Sequence, residues 1–384
     1  MQAVDYQSVR GRSTFFAAAV AALLCFASPA LASGGFTDVP KGFWAKPQIR
    51  WATGNAWIAP RTATTFVPHH TVSRVNASAV LVRIAFELKG IPEGPDPFAE
   101  AVDAGWIPKG AGRTGTITQL EFDRGLVRIL GLAHSAKALN HLKTADGWAP
   151  KLADGFGVEQ EVRAIGVRTN VPDGSDSWEL SPSDPLRRAN LAAEAYQVMH
   201  MSSWAIAAGQ SKVAVATQLP AWSPLKRKVL GLALRYAGRP YIWGGTSPNP
   251  QSPLGSPVAG GFDCSGFVWW VMKLHSYTVA SHTWSGNAAI QARSTYDMAG
   301  ALPVRKRIRR HNLKPGDILF WSLAPNGVRT KPSTVYHAGI YLGNGWAINS
   351  HGSGDGVTLD YMGKGAGWFH DAFAFGWRVM PRAR

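Results

Sequence analysis

The stretch Gly261-Phe262-Asp263-Cys264-Ser265-Gly266-Phe267-Val268 constrains the fold most, because it makes a loop turn into a buried helix at a cysteine. Asp263 is a strong N-cap residue, Gly266 keeps the backbone open, and residues 267–274 (FVWWVMKL) are dense enough in apolar side chains to be buried. A thiol in the first turn of a helix meets unpaired N–H groups and the positive end of the helix dipole. Both favour the thiolate, the form that attacks. The other cysteine, Cys25, falls in a segment expected to be cut away, so Cys264 is expected to be the sole thiol of the mature protein.

A thiolate also needs a base and a group that orients the base. His337 lies in residues 335–342 (VYHAGIYL), whose β-branched and aromatic content predicts a strand. Gly343-Asn344-Gly345 reads as a turn and residues 346–351 (WAINSH) as the returning strand. Alternation puts Asn349 and His351 on one face of that second strand. They share a face with His337 only if the loop holds an odd number of residues, as a three-residue 343–345 loop does. A two-residue Asn344-Gly345 turn puts them on opposite faces. Zinc held by Cys264, His337 and His351 is a competing chemistry, but structural zinc draws on close-spaced ligand pairs, so neither metal nor cofactor is expected. The run Gly352-Ser353-Gly354-Asp355-Gly356 leads into a strand-like stretch rather than a helix, which makes it a turn and not a phosphate loop.

Four motifs follow in order: Gly238-Arg239-Pro240-Tyr241-Ile242-Trp243-Gly244-Gly245, Phe262-Asp263-Cys264-Ser265-Gly266-Phe267, Leu313-Lys314-Pro315-Gly316-Asp317-Ile318-Leu319-Phe320, and His337-Ala338-Gly339-Ile340-Tyr341-Leu342-Gly343. With them, residues 226–380 resemble the NlpC-type family of papain-like bacterial cell-wall peptidases. The resemblance implies an α+β domain with a helix layer on an antiparallel sheet, with Cys264 as nucleophile and His337 as base. It implies an orienting residue at Asn349, with His351 its rival, and Tyr241 lining the site near the oxyanion. Many relatives carry a second His where this chain has Asn349. The Ser/Pro/Gly-rich insert between Gly245 and Gly261 is unusual. The activity implied is hydrolysis of amide bonds in peptidoglycan stem peptides, between D-glutamate and a diamino acid. A member that has lost catalysis and only binds the wall, or assembles the envelope, is the alternative.

The remaining chain fits an exported protein. Arg10 and Arg12, the apolar run 15–26 and Ala30-Leu31-Ala32 have the layout of a secretory signal over residues 1–32, and about a dozen apolar residues are too few to span a bilayer. No membrane insertion is expected after cleavage. Residues 223–384 hold 19 Lys or Arg against 6 Asp and no Glu, a net of +13 out of +16 for the chain. Their densest cluster is Arg305, Lys306, Arg307, Arg309 and Arg310. In an exported protein such charge meets anionic wall polymers rather than nucleic acid.

Residues 33–201 read as helix pairs, each too small to bury its own face. They open on Phe36-Thr37-Asp38-Val39-Pro40 and Trp44-Ala45, with a second helix starting near Ser73-Arg74. Echoes run from Phe98 and Gln119, and from Trp148 and Arg187-Arg188. These degenerate units resemble S-layer-homology repeats in an all-α domain. The resemblance implies that Arg74 and Arg187 or Arg188 contact an anionic secondary wall polymer. Residues 202–222, rich in Ala, Ser, Thr and Gln, read as the connector to the catalytic domain at 223–384.

Overall fold

A computed structural model of the protein describes residues 35–381 except 173, 280–281, 286–287 and 353–355. The expected signal and Cys25 lie outside the described residues. The N-terminal half is built on three helix pairs: α1 (Lys46–Gly54) with α2 (Arg74–Lys89), α3 (Pro97–Asp103) with α4 (Gln119–Ile129), and, after an extra helix α5 (Ala133–Leu139), α6 (Phe156–Ala164) with α7 (Arg188–His200). Each first helix ends on a residue in the left-handed region: Ala56 (φ 57°), Gly105 (φ 73°) and Gly166 (φ 71°). The next two N–H groups then fold back onto one carbonyl, that of Ala52, Ala101 or Val162. Just before the second helices, three short segments close a ring. Val72 N–H donates to Leu186 (2.9 Å), Leu186 to Ile117 (3.0 Å) and Ile117 to Val72 (3.0 Å). The ring seats Val72, Ile117 and Leu186 at the centre of the first apolar core.

The third pair begins later than its sequence reading. Its first helix starts at Phe156, where Gly155 takes φ 70°, whereas Trp148 packs against Trp222 (5.8 Å between rings) in the second core. Residues 202–222, read as a connector, form α8 (Ala205–Ser211), a 3-10 turn and α9 (Val215–Gln218). Val215, Leu219 and Trp222 are buried in the second core, so this segment joins the two halves by packing between them. Its short stretch of Ala, Ser, Thr and Gln hid the spaced larger apolar anchors.

After α10 (Pro224–Leu234) come a two-stranded ribbon β1 (Thr246–Ser247) and β2 (Gly261–Phe262), then α11 (Cys264–Met272), a hairpin of β3 (Ser276–Val279) and β4 (His282–Ser285), and α12 (Thr295–Gly300). The insert inside the ribbon faces the N-terminal half across a groove of about 480 Å³ lined by Arg187, Arg239, Pro250 and Val258. The main sheet comprises β5 (Ile318–Ser322), β6 (Val335–Gly343), β7 (Trp346–His351), β8 (Gly356–Tyr361) and β9 (Phe373–Trp377), with a short helix α13 (Trp368–Asp371) before β9. Its order is β8-β7-β6-β5-β9 and every pairing is antiparallel. Helix α11 packs on the face carrying Ala338, Ile340 and Ile348. The α+β arrangement expected of this half is present.

Candidate active site

Helix α11 begins at Cys264 because Asp263, in extended backbone, accepts the Gly266 N–H at 2.6 Å. The other carboxylate oxygen takes the Gly244 N–H (3.1 Å) and the Arg293 guanidinium (2.9 Å), tying the helix start to the preceding motif. Gly266 has a steric reason to be glycine, since a Cβ there would overlap the Gly245 carbonyl oxygen. Cys264 is buried, and its Sγ lies 3.4 Å from Thr295 Oγ1 and 3.8 Å from the Tyr336 carbonyl. It also receives the N–H groups of Ala338 and Ser265. The sulfur is thus held by the main chain on both sides of His337. Pairing of β6 with β7 starts at Gly339 opposite Asn349, so Tyr336 and Ala338 lie beyond the end of that ladder.

The electrostatics differ from a simple helix-start argument. Burial, then the nearby Asp263 charge, push the Cys264 thiol up, and this outweighs the hydrogen bonds from Thr295, Ala338 and Ser265. Desolvation of the sulfur and a carboxylate one residue away outweigh the hydrogen bonds that favour the thiolate. The Cys264 side chain is therefore a neutral thiol at physiological pH.

The His337 ring lies among Trp321 (5.2 Å between rings), Trp368 (5.6 Å) and Phe369 (6.4 Å), and its hydrogen bond goes to Asn349 rather than to Cys264, whose sulfur is bonded to Thr295 and the Tyr336 carbonyl. Its Nε2 hydrogen-bonds Asn349 Oδ1 at 2.8 Å, while the His351 ring stands edge-on at 5.1 Å. Asn349 and His351 do share a face with His337, but by a different route from a three-residue loop. Asn344 and Gly345 alone separate β6 from β7. A β-bulge between Tyr341 and Gly343 inserts Leu342 and restores the parity. Gly339 is required for the approach, because a Cβ there would meet Asn349 Cβ at 2.8 Å. Burial, with the neighbouring His351 charge second, lowers the His337 pKa to about 3, so the imidazole is neutral at physiological pH.

Behind Asn349 stands a carboxylate that the sequence reading missed. Asp360 Oδ2 accepts from Asn349 Nδ2 (2.9 Å) and Thr358 Oγ1 (2.8 Å), and Oδ1 lies 3.3 Å from Lys212 Nζ. Burial works to raise the Asp360 pKa, but Lys212, Thr358 and Asn349 outweigh it and hold the group below the usual carboxylate range. Alternation along β8 would have placed Asp360 on the face of Asn349; nothing in the sequence points to Lys212, Arg293 or Thr295.

Tyr241 is brought to the edge of the site. Its main chain bridges to Phe262, and a Cβ on Gly352, beside His351, would touch its ring at 3.1 Å. The arginines picked out for polymer binding have protein partners. Arg74 meets Glu121 at 2.9 Å, Arg187 donates to the Ser177 carbonyl (3.0 Å), and Arg188 donates to the carbonyls of Phe66 (2.9 Å) and Ala59 (2.7 Å). In the basic cluster, Arg307 and Arg310 also turn inward onto main-chain carbonyls, leaving Arg305, Lys306 and Arg309 exposed. No group of three His, Cys, Asp or Glu among the described residues is placed to hold a metal, and no described helix is long and apolar enough to cross a membrane.

Residues 238–373 match the NlpC/P60 family. Among curated proteins, the bifunctional muramidase/DL-endopeptidase CwlT of Bacillus subtilis is 32 % identical over 143 residues, 37 % of this chain and 33 % of the relative. The murein DD-endopeptidase MepH of Escherichia coli is 29 % identical over 179 residues, 46 % of this chain and 52 % of the relative. This chain thus spans about a third to a half of those relatives. Among solved structures, RipD of Mycobacterium tuberculosis, described as a non-catalytic NlpC/p60 domain protein adapted to peptidoglycan binding, is 18 % identical. That match covers 41 % of this chain and 100 % of the other at a TM-score of 0.29. Residues 238–373 form an NlpC/P60 family domain with helices packed on an antiparallel sheet.

Proposed function

We propose that the protein is an exported cysteine endopeptidase that hydrolyses amide bonds in peptidoglycan stem peptides, between D-glutamate and a diamino acid. The observation that carries the reading is the placement of Cys264 at the start of α11, its sulfur bonded on either side of a histidine whose Nε2 is held by Asn349. Thiol and imidazole are both neutral at rest and are not hydrogen-bonded to each other, so the reaction begins with rotation of Sγ off the Tyr336 carbonyl toward the His337 ring. His337 then takes the thiol proton as Sγ attacks the amide carbon. The Cys264 N–H, with Tyr241 nearby, stabilises the oxyanion, and the imidazolium protonates the leaving amine. Water, deprotonated by His337, releases the acyl group. The three ring-forming helix pairs support an S-layer-homology-like reading of the N-terminal half. It would hold the enzyme on an anionic wall polymer through exposed basic residues. Incubation of the purified chain with muropeptides tests the reading: new termini at the D-glutamyl bond from wild type and none from Cys264→Ala are expected.

One observation favours a second reading, a non-catalytic wall-binding or envelope-assembly protein. The Cys264 thiol is buried, raised in pKa and bonded to Thr295 and Tyr336. Sacculus binding without any cleavage would select this alternative.

A further inference from the structure

The hydrogen bonds behind His337 run on into the helical half. Lys212 lies in the 3-10 turn between α8 and α9, and its ammonium donates to the Leu359 carbonyl (2.9 Å) as well as reaching Asp360. Gln160, from α6, accepts the Leu359 N–H at 2.8 Å. Strand β8 is the edge of the sheet, and these two side chains satisfy its outward main chain at the residue next to Asp360.

A carboxylate only accepts hydrogen bonds, so the end of Asn349 that meets Asp360 is its NH₂. The amide oxygen must then face His337, and Nε2 must carry the proton, leaving the lone pair on Nδ1 for work as a base. We propose that Lys212 and Asp360 are positioning residues for His337: Lys212 anchors the Asp360 carboxylate, the carboxylate sets which end of the Asn349 amide faces the imidazole, and the amide sets the tautomer. Without that carboxylate the amide can turn over at almost no change in shape, and the other tautomer is then selected. The inference rests on the peptidase reading, and it makes the helical half part of the catalytic apparatus in addition to any role in wall attachment.

The charged and titratable groups around this path are Lys212 and His351 near Asp360, His351 and Asp360 near His337, and Glu161 near Lys212. The test uses the full chain with Asp360→Asn, Lys212→Met and Lys212→Arg. Muropeptide kinetics and the histidine ring ¹⁵N spectrum are recorded for each. Asp360→Asn should lower kcat by about 10- to 100-fold, the scale of outer partners of an oriented imidazole, with KM nearly unchanged. Its His337 ring should show both tautomers where wild type shows the Nε2–H form. Lys212→Met should move the acid limb of kcat/KM to higher pH, because Asp360 then protonates more readily, and Lys212→Arg should restore it. A superimposable pH profile for Lys212→Met together with an unchanged tautomer in Asp360→Asn overturns the inference. If wild type cuts nothing, the peptidase reading fails, yet the ring spectra still decide the relay. Should Asp360→Asn fail to fold, the tautomer and the Lys212 pair decide it.

Discussion

Asn349 Oδ1 lies 2.8 Å from His337 Nε2 although only Asn344 and Gly345 separate the strands that carry them. Side chains alternate along a strand, so two residues of turn should have sent the pair to opposite faces. The extra residue, Leu342, sits in the bulge, and the bulge holds the dyad together.

If the chain is a peptidase with His337 as base, Asn349→Leu should lower kcat by roughly 100-fold while KM stays within about twofold, since the lost group would orient that base without binding substrate. Steady-state kinetics on a muropeptide decide it. A change confined to KM would place Asn349 in substrate binding instead.

The strands β6 and β7 could be read from their β-branched and aromatic content to within one residue, and the helix start at Cys264 from its N-cap. The face shared by His337 and Asn349 was reached through the wrong loop length, because alternation carries no mark of a bulge. What stayed hidden depends on contacts far apart in sequence. Lys212 and Asp360 are 148 residues apart, and no spacing rule links them. Arg293 and Thr295 lie in residues 275–302, a stretch without a motif, where the β3–β4 hairpin was missed too. The Ala-, Ser-, Thr- and Gln-rich composition of residues 202–222 concealed a packed segment.

His351→Ala should shift the acid limb of activity to higher pH. The His337 pKa of about 3 is set first by burial and next by the His351 charge, and removing the latter lets it climb toward the ordinary 6.5. A base with a raised pKa is protonated earlier as pH falls, so activity is lost sooner. Profiles of kcat/KM between pH 4 and 9 would show the shift, and an unmoved or lowered acid limb would count against it.

Four buried carboxyls, Asp123, Glu159, Glu179 and Glu194, surround two buried guanidiniums, Arg163 and Arg168. Two negative charges are left over, and burial resists them, raising Asp123 and Glu179 to about 7 and Glu194 well above its usual value. A carboxyl with a raised folded pKa binds its proton more tightly when folded. Its stabilising effect is complete below the unfolded value near 4 and is lost as pH rises through about 7. Glu179→Gln should therefore raise Tm relative to wild type at pH 8 and much less at pH 5, by about 2–4 °C per kcal/mol relieved. His337, buried neutral, acts the opposite way, losing stability as pH falls below 6.5, but it cancels in the difference between variant and wild type. Calorimetry at the two pH values is the measurement. An equal Tm shift at both would remove the buried-charge argument.

Arg307 and Arg305 are neighbours in a basic cluster but differ in what they do. The Arg307 guanidinium donates to the carbonyls of Leu302 (3.2 Å), Val328 (3.1 Å) and Thr330 (2.7 Å) and lies 4.2 Å from the Phe375 ring centroid. Arg307→Ala should cost about 2–3 kcal/mol through abandoned carbonyls and a lost cation–π contact. Arg305→Ala, on an exposed side chain, should stay within about 0.5 kcal/mol. Arg305→Ala should instead weaken sacculus binding, more so at low salt. Denaturant melts and a pull-down at two ionic strengths separate the roles.

Thr295 tests what governs the sulfur. Its hydroxyl lies 3.4 Å from Cys264 Sγ, and that hydrogen bond is among those drawing the thiol pKa down against burial and Asp263. Thr295→Val keeps the shape and removes the hydroxyl, so the thiol pKa should rise further, and alkylation of Cys264 by iodoacetamide at pH 8 should slow several-fold as the thiolate fraction shrinks. Thr295→Ser, which keeps the donor, should react like wild type. The adduct is located at Cys264 by peptide mapping, and the rate is followed from pH 6 to 10 so that a displaced curve is told from a lowered plateau. Faster alkylation in Thr295→Val would mean that the side chain acts as a cover over the sulfur and not as its hydrogen-bond partner, and reactivity would then be limited by access to a closed site rather than by the thiol's proton.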